Sequence, residues 1–284
     1  MTAPAPIAPP VPAGRQAQPP ARFGDLVRTE WIKMRSLRST TWTVVLAAVV
    51  VIGSAVVAAH ADYTNFPHYS PSNQRDPGFA LADAFPLIGY MTVMLVAAST
   101  GAIAIVSEYS SGLIRTTIVA VPARGAVLLA KAVVATAMWT AAGAAISTVS
   151  FTVSQAILHG QHAGDSITHP GAFAALAGAA LLAPVCALIG LGLGTLIRHS
   201  ATTMIAGVVI LLLMPSFFTT RHPWSADLNH AMVLAAFQRL TETYGPPGDL
   251  STIYATFTGS WVVYAAWPLA AMVLAVLVIR RRDV

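Results

Sequence analysis

The stretch TTWTVVLAAVVVIGSAVVAA, Thr40–Ala59, decides the fold: it is twenty residues without a charge, enough for an α-helix to cross the hydrocarbon core of a bilayer. Five more apolar stretches of comparable or greater length follow, Ala84–Val106, Ala126–Leu158, Ala172–Ile197, Ala201–Phe218 and Trp261–Ile279. Backbone polar groups at that depth must be satisfied within the segment, so six such runs predict six helices. Composition agrees, with 56% hydrophobic and 10% charged residues in 284, against about 25% charged in ordinary soluble domains. The expected fold class is all-α, a polytopic membrane protein of one six-span domain over residues 22–284. The single cysteine, Cys186, sits inside the fourth run and reads as a small buried apolar residue.

The distribution of positive charge orients the spans. With the N-terminus in the cytoplasm, thirteen Lys and Arg residues fall inside (Arg15, Arg22, Arg28, Lys33, Arg35, Arg38, Arg115, Arg124, Lys131, Arg198 and Arg280–Arg282). Only Arg75, Arg221 and Arg239 fall outside. This bias predicts a cell-membrane protein with both termini cytoplasmic. The net charge of +5 is then orientation and contact with anionic lipid, with no nucleic acid as partner. Residues 1–21 hold seven prolines and almost no large apolar side chain, which predicts a disordered cytoplasmic tail and no cleavable signal peptide.

Between tail and first span the pattern turns helical. Phe23, Val27, Trp31 and Met34 recur at helical spacing, flanked by Leu26 and Leu37, with Asp25, Arg28 and Arg35 opposite. This predicts an amphipathic interfacial helix over Arg22–Leu37, including Glu30, Trp31, Lys33 and Arg35. Glu30 falls inside the apolar arc, where a carboxylate either snorkels to water or pairs with a basic residue from another segment. Between the second and third spans, SEYSSGLIRTTIVAVPARG (Ser107–Gly125) combines hydroxyls, Gly112 and Pro122 around a possible short helix at Leu113–Val119. It reads as a structured cytoplasmic elbow or as a loop that caps two helices.

EWIKMRSLRSTTW (Glu30–Trp42), SEYSSGLIRTTIVAVPAR (Ser107–Arg124) and the terminal IRRRDV, in that order on a six-span frame, resemble the membrane-spanning permease subunits of type-2 ABC transporters, especially the short actinobacterial kind. The resemblance implies a connecting helix carrying Glu30, Trp31, Lys33 and Arg35. It also implies a coupling helix between spans two and three, with Glu108, Tyr109, Gly112, Arg115, Thr116 and Thr117 docking on an ATPase. Two copies of a cytoplasmic ABC ATPase, a second permease chain and the lipid bilayer are the implied partners. The chain has no GxxxxGK[ST], so ATP and Mg would be bound by the ATPase, and no cofactor or catalytic residue is expected here. No charge lies near mid-span, as an ion-coupled carrier would keep; Lys131 sits close enough to the inner end of span three to snorkel, and Glu108 sits at the inner end of span two. Glu30 and Arg115 are expected to pair, linking the elbow to the first span.

The third span carries Thr136, Thr140, Ser147, Thr148, Ser150, Thr152, Ser154 and Gln155. Hydroxyls there either hydrogen-bond across helices or line a pathway, for which Thr136, Thr140, Ser147 and Ser154 are the candidates. Gly190, Gly192 and Gly194 read as packing positions. Seven outer histidines match no metal-ligand spacing, and no metal site is expected. In the outer segment Thr219–Ser260, Leu228, Met232, Ala235, Ala236 and Leu240 predict a helix capped by Asp227 and stopped by Gly245, lying on the surface or folded back into the bundle. The function expected is an ABC exporter permease. The alternatives are a non-transporting sensory or structural subunit that docks an ATPase, and a polytopic membrane enzyme.

Overall fold

A computed structural model describes residues 22–36, 38–75, 79–112, 124–242 and 253–281. Those residues form helices joined by turns and short loops, without a strand. Six of their helical segments are long and apolar enough to cross a membrane: Arg38–His68, Ala80–Ser110, Gly125–His159, Ala172–Ile197, Ser200–Phe217 and Phe257–Arg281. In chain order the helices are α1 (Phe23–Ser36), α2 (Arg38–Asn65), α3 (Pro71–Arg75), α4 (Ala80–Ala84) and α5 (Leu87–Ser110). After them come α6 (Arg124–His159), α7 (Ala172–Ile197), α8 (Ser200–Val208), α9 (Pro223–His230), α10 (Val233–Thr241) and α11 (Phe257–Arg281).

The apolar runs anticipate these helices with two differences. The run beginning at Ala84 is broken at Phe85, and α5 starts after Pro86, whose fixed φ suits the entry to a helix. The fifth span does not stay α-helical. After Val208 it widens into a π-turn over Val209–Leu213 and tightens to a 3₁₀ turn at Met214–Phe217. Pro215 accounts for the change, because it has no N–H to continue the α ladder.

Helix α7 is the hub, packed against α5, α6, α10 and α11. Its Ala- and Gly-rich sequence lets neighbouring backbones come close, which is how helices associate where lipid removes the hydrophobic drive. Side chains at Gly101 of α5 and Gly190 of α7 would overlap the carbonyls of Ala187 and Ala98 respectively, so the two helices interlock reciprocally. Gly192 faces Ala271 of α11, and Gly194 faces Ala102 and Ile105 of α5, which makes all three glycines of this stretch packing positions. Pro184 inside α7 cannot bond the carbonyl of Ala180, and Gly143 of α6 lies directly against that carbonyl. A glycine hydrogen there fills a place that a methyl group could not. Cys186 is fully buried in this hub.

The outer segment is not a surface helix. It forms α9 and α10 with a break at Ala231–Met232, and Val233, Leu234, Ala236, Phe237 and Leu240 of α10 are buried. Phe237 stacks on Tyr90 at 4.9 Å, and Leu240 packs on Gly178 of α7. Trp267 Nε1 donates to the carbonyl of Ala231 at 2.6 Å, tying the break to α11. Asp227 lies within α9 and caps nothing; Met232 is the N-cap of α10. Gly245 is outside the described residues.

Candidate functional site

Three segments distant in sequence meet at one end of the bundle. Glu30 lies mid-way along α1, Glu108 in the last turn of α5, and Lys131 two turns into α6. Helix α1 packs on α6, and its only buried residue is Glu30, while Phe23, Trp31 and Ile32 remain exposed. The carboxylate inside the apolar arc is therefore the residue that points inward. Lys131 Nζ donates to Glu30 Oε2 at 2.7 Å and to Glu108 Oε1 at 2.6 Å. Lys33 Nζ donates to Glu30 Oε1 at 2.8 Å and to Glu108 Oε1 at 3.0 Å. Two acids and two bases thus close a neutral ring.

The two lysines contribute unequally. The Lys131 side chain is 3% exposed, and those of Glu30 and Glu108 are 10% and 8% exposed. Groups so dehydrated cost several kcal/mol each to bury, and only close pairing offsets that. Lys131 does not snorkel, because both carboxylates come to it. The Lys33 side chain is 46% exposed and works in a wetter, screened setting. Partial burial opposes its charge, but hydrogen bonds and coulombic attraction from Glu30 and Glu108 outweigh that and hold its pKa above the ordinary lysine value.

Of the expected elbow residues, Glu108, Tyr109 and Gly112 are described, whereas Arg115, Thr116 and Thr117 lie outside the described residues. The Glu30–Arg115 pairing lies outside them with Arg115. The end of α5 is loosened as its serines suggest: Ser107, Ser110 and Ser111 hydroxyls bond to carbonyls of the last turns. Gly112 then takes a left-handed φ of 71°, which stops the helix. The Arg198 guanidinium, at the end of α7, lies 4.7 Å from the centre of the Tyr109 ring. In the helix α1, Trp31, Lys33 and Arg35 are exposed.

The charge ring walls one side of a cavity of about 180 Å³ between α1, α2, α5 and α6. Met34, Thr40, Thr43, Thr100, Ala104 and Met138 complete much of its lining. A neighbouring cavity of about 250 Å³ shares Met34, Thr40 and Met138 and adds Trp31, Val44 and Val45. The four pathway candidates of α6 lie away from both. Ser147 accepts a hydrogen bond from Tyr90 Oη at 2.9 Å, and Ser154 donates to the carbonyl of Phe151 at 3.0 Å. Ser150 and Gln155 likewise hold the carbonyls of Ala84 and Ala80, fixing α4 against α6. Thr136 and Thr140 are half-buried. Among the described residues, no three His, Cys, Asp or Glu side chains are placed to hold a metal ion.

Sequence reasoning singled out Glu30 and Glu108 but treated Lys131 as a residue reaching for water. The signal for its role was charge balance at one depth: one acid in an apolar arc, one acid ending a span and one base opening the next. Compared with known proteins, the chain matches no family model and no curated sequence.

Proposed function

We propose that the chain is the permease subunit of a type-2 ABC exporter, set in the plasma membrane with both termini cytoplasmic and driven by a separate ATPase. One observation supports this reading above others. The ring of Glu30, Lys33, Glu108 and Lys131 ties α1 to the last turn before residues 113–123 and to the second turn after them. Those residues are the elbow that, on the resemblance, docks on the ATPase.

Force applied to the elbow reaches Glu108 and Lys131 first, since both stand on helices that the elbow joins. Through Glu30 it passes to α1, and so to the start of the first span at Arg38. Buried ion pairs suit this task because sliding one partner away leaves a charge uncompensated, which makes the three helices move together. In this reading α1 lies along the inner surface of the bilayer, with Phe23, Trp31 and Ile32 presented to lipid. The interlocked glycines of α5 and α7 would carry the movement towards the outer end as a rigid body.

Co-purification from a membrane in which the chain is produced together with candidate ABC ATPases of its host tests the assignment. The expected result is a complex of two copies of each subunit that hydrolyses ATP, with none hydrolysed by the purified chain alone. Separate elution of the chain from every candidate would refute the reading. A complex that hydrolyses ATP yet moves no solute into inverted vesicles would favour a sensory subunit instead.

A further inference from the structure

The charge ring is saturated on one side only. Glu30 uses both carboxylate oxygens and Glu108 uses Oε1, but Glu108 Oε2 is buried and has no hydrogen-bond partner among the described residues. Each ammonium has three N–H donors. Lys33 and Lys131 each place two of them on the carboxylates, so one donor remains on each. All three residues line the cavity of about 180 Å³. Its wall therefore offers an acceptor beside two donors.

Net charge narrows what fits. The ring is neutral, so a ligand group of net charge would stand uncompensated beside it, whereas a zwitterion would not. The ligand's cation must also carry N–H groups, since a quaternary ammonium cannot donate to Glu108 Oε2. The cavity is large enough for a small headgroup and not for acyl chains. Beyond Met34 and Met138 the neighbouring cavity, with Trp31, Val44 and Val45, supplies an apolar surface on which a chain can lie.

We propose that this cleft binds the headgroup of a phosphatidylethanolamine from the leaflet at this end of the bundle. Its ammonium donates to Glu108 Oε2, and its phosphate accepts from Lys33 and Lys131. One acyl chain lies against Trp31, Val44, Val45 and Met138. The site needs membrane insertion but no ATPase, so it stands or falls apart from the transport reading.

The test uses the purified full chain in mixed vesicles or detergent, with native mass spectrometry counting retained lipid. Wild-type protein is offered phosphatidylethanolamine, its mono- and dimethyl forms, and phosphatidylcholine. Retention should fall along this series by about tenfold or more overall, the worth of a hydrogen bond to a charged acceptor, with the steepest step at loss of the last N–H. Glu108→Gln replaces the acceptor and leaves the ring positive, so preference should move to phosphatidylglycerol. Ala104→Trp fills the cavity while keeping all four ring residues, and should abolish retention while the fold, read by circular dichroism, is kept. Equal retention of phosphatidylethanolamine and phosphatidylcholine by wild-type protein would overturn the proposal. So would undiminished retention in a folded Ala104→Trp chain.

Discussion

Removing the Lys131 ammonium should destabilise the protein far more than removing its neighbour Lys33. Lys131→Met keeps an unbranched side chain up to the ε position and deletes two bonds, at 2.7 Å to Glu30 and 2.6 Å to Glu108. Both carboxylates are nine-tenths buried or close to it, so they would face each other with one half-exposed lysine between them. Breaking a buried pair in this way costs about 3–5 kcal/mol. Lys33→Met deletes bonds that are only slightly longer, yet its side chain is 46% exposed, and solvent screening reduces the expected loss to about 0–1 kcal/mol. Equilibrium unfolding of both variants in bicelles measures the difference directly. A triple variant, Lys131→Met with Glu30→Gln and Glu108→Gln, should recover much of the loss, because the one charge left is that of Lys33, whose half-exposed side chain water can solvate. If Lys131→Met proves no more costly than Lys33→Met, the ring is not the buried unit that its geometry indicates.

Gly190→Ala should destabilise by about 1–3 kcal/mol or more, because its methyl group would overlap the Ala98 carbonyl, whereas Gly207→Ala, with open space around it, should be neutral or stabilising in the same unfolding assay. Tyr69 donates to Asp62 Oδ1 at 2.6 Å, and that hydrogen bond, with burial and the Asp62 charge behind it, raises its pKa to about 12. The bond's contribution is therefore intact below pH 10.0 and lost as pH rises through about 12; a Tyr69→Phe difference titration by ultraviolet absorbance should show the late phenol, and Asp62→Asn should bring it back towards 10.0. In a Cys186→Ala background, cysteines at the exposed positions Ser72 and Thr168 should react with an impermeant thiol reagent in intact cells, and one at Ser110 should not; the reverse pattern would invert the orientation.

Much of the frame was legible because the bilayer allows few solutions. The fourth run and α7 share the bounds Ala172–Ile197, since Pro170 and Gly171 mark one edge, Arg198 marks the other and most of the helix is buried. The fifth span was legible in length but not in its π and 3₁₀ turns, which follow from how Pro215 is accommodated against its neighbours. The break between α9 and α10 has no glycine or proline to announce it; it is held by Trp267 from another helix. In the charge ring, the misplaced Glu30 was visible as an anomaly of periodicity. Its partner was not, because Lys131 stands 101 residues away and the end of a span permits both snorkelling and burial. Hydroxyls of α6 were equally open to packing and to lining a pathway, and only the positions of Tyr90, Ala80 and Ala84 show which groups meet them.

The central claim is that the charge ring passes movement from an ATPase to the first span. The most direct measurement is ATP hydrolysis and solute movement by the reconstituted pair, in a double-mutant cycle of Glu30→Gln and Lys131→Met on folded protein. The account predicts that each single variant still docks the ATPase but uncouples hydrolysis from transport, and that the double variant loses less than the sum of the two. Strict additivity, or transport that stays coupled when either charge is removed, would contradict it.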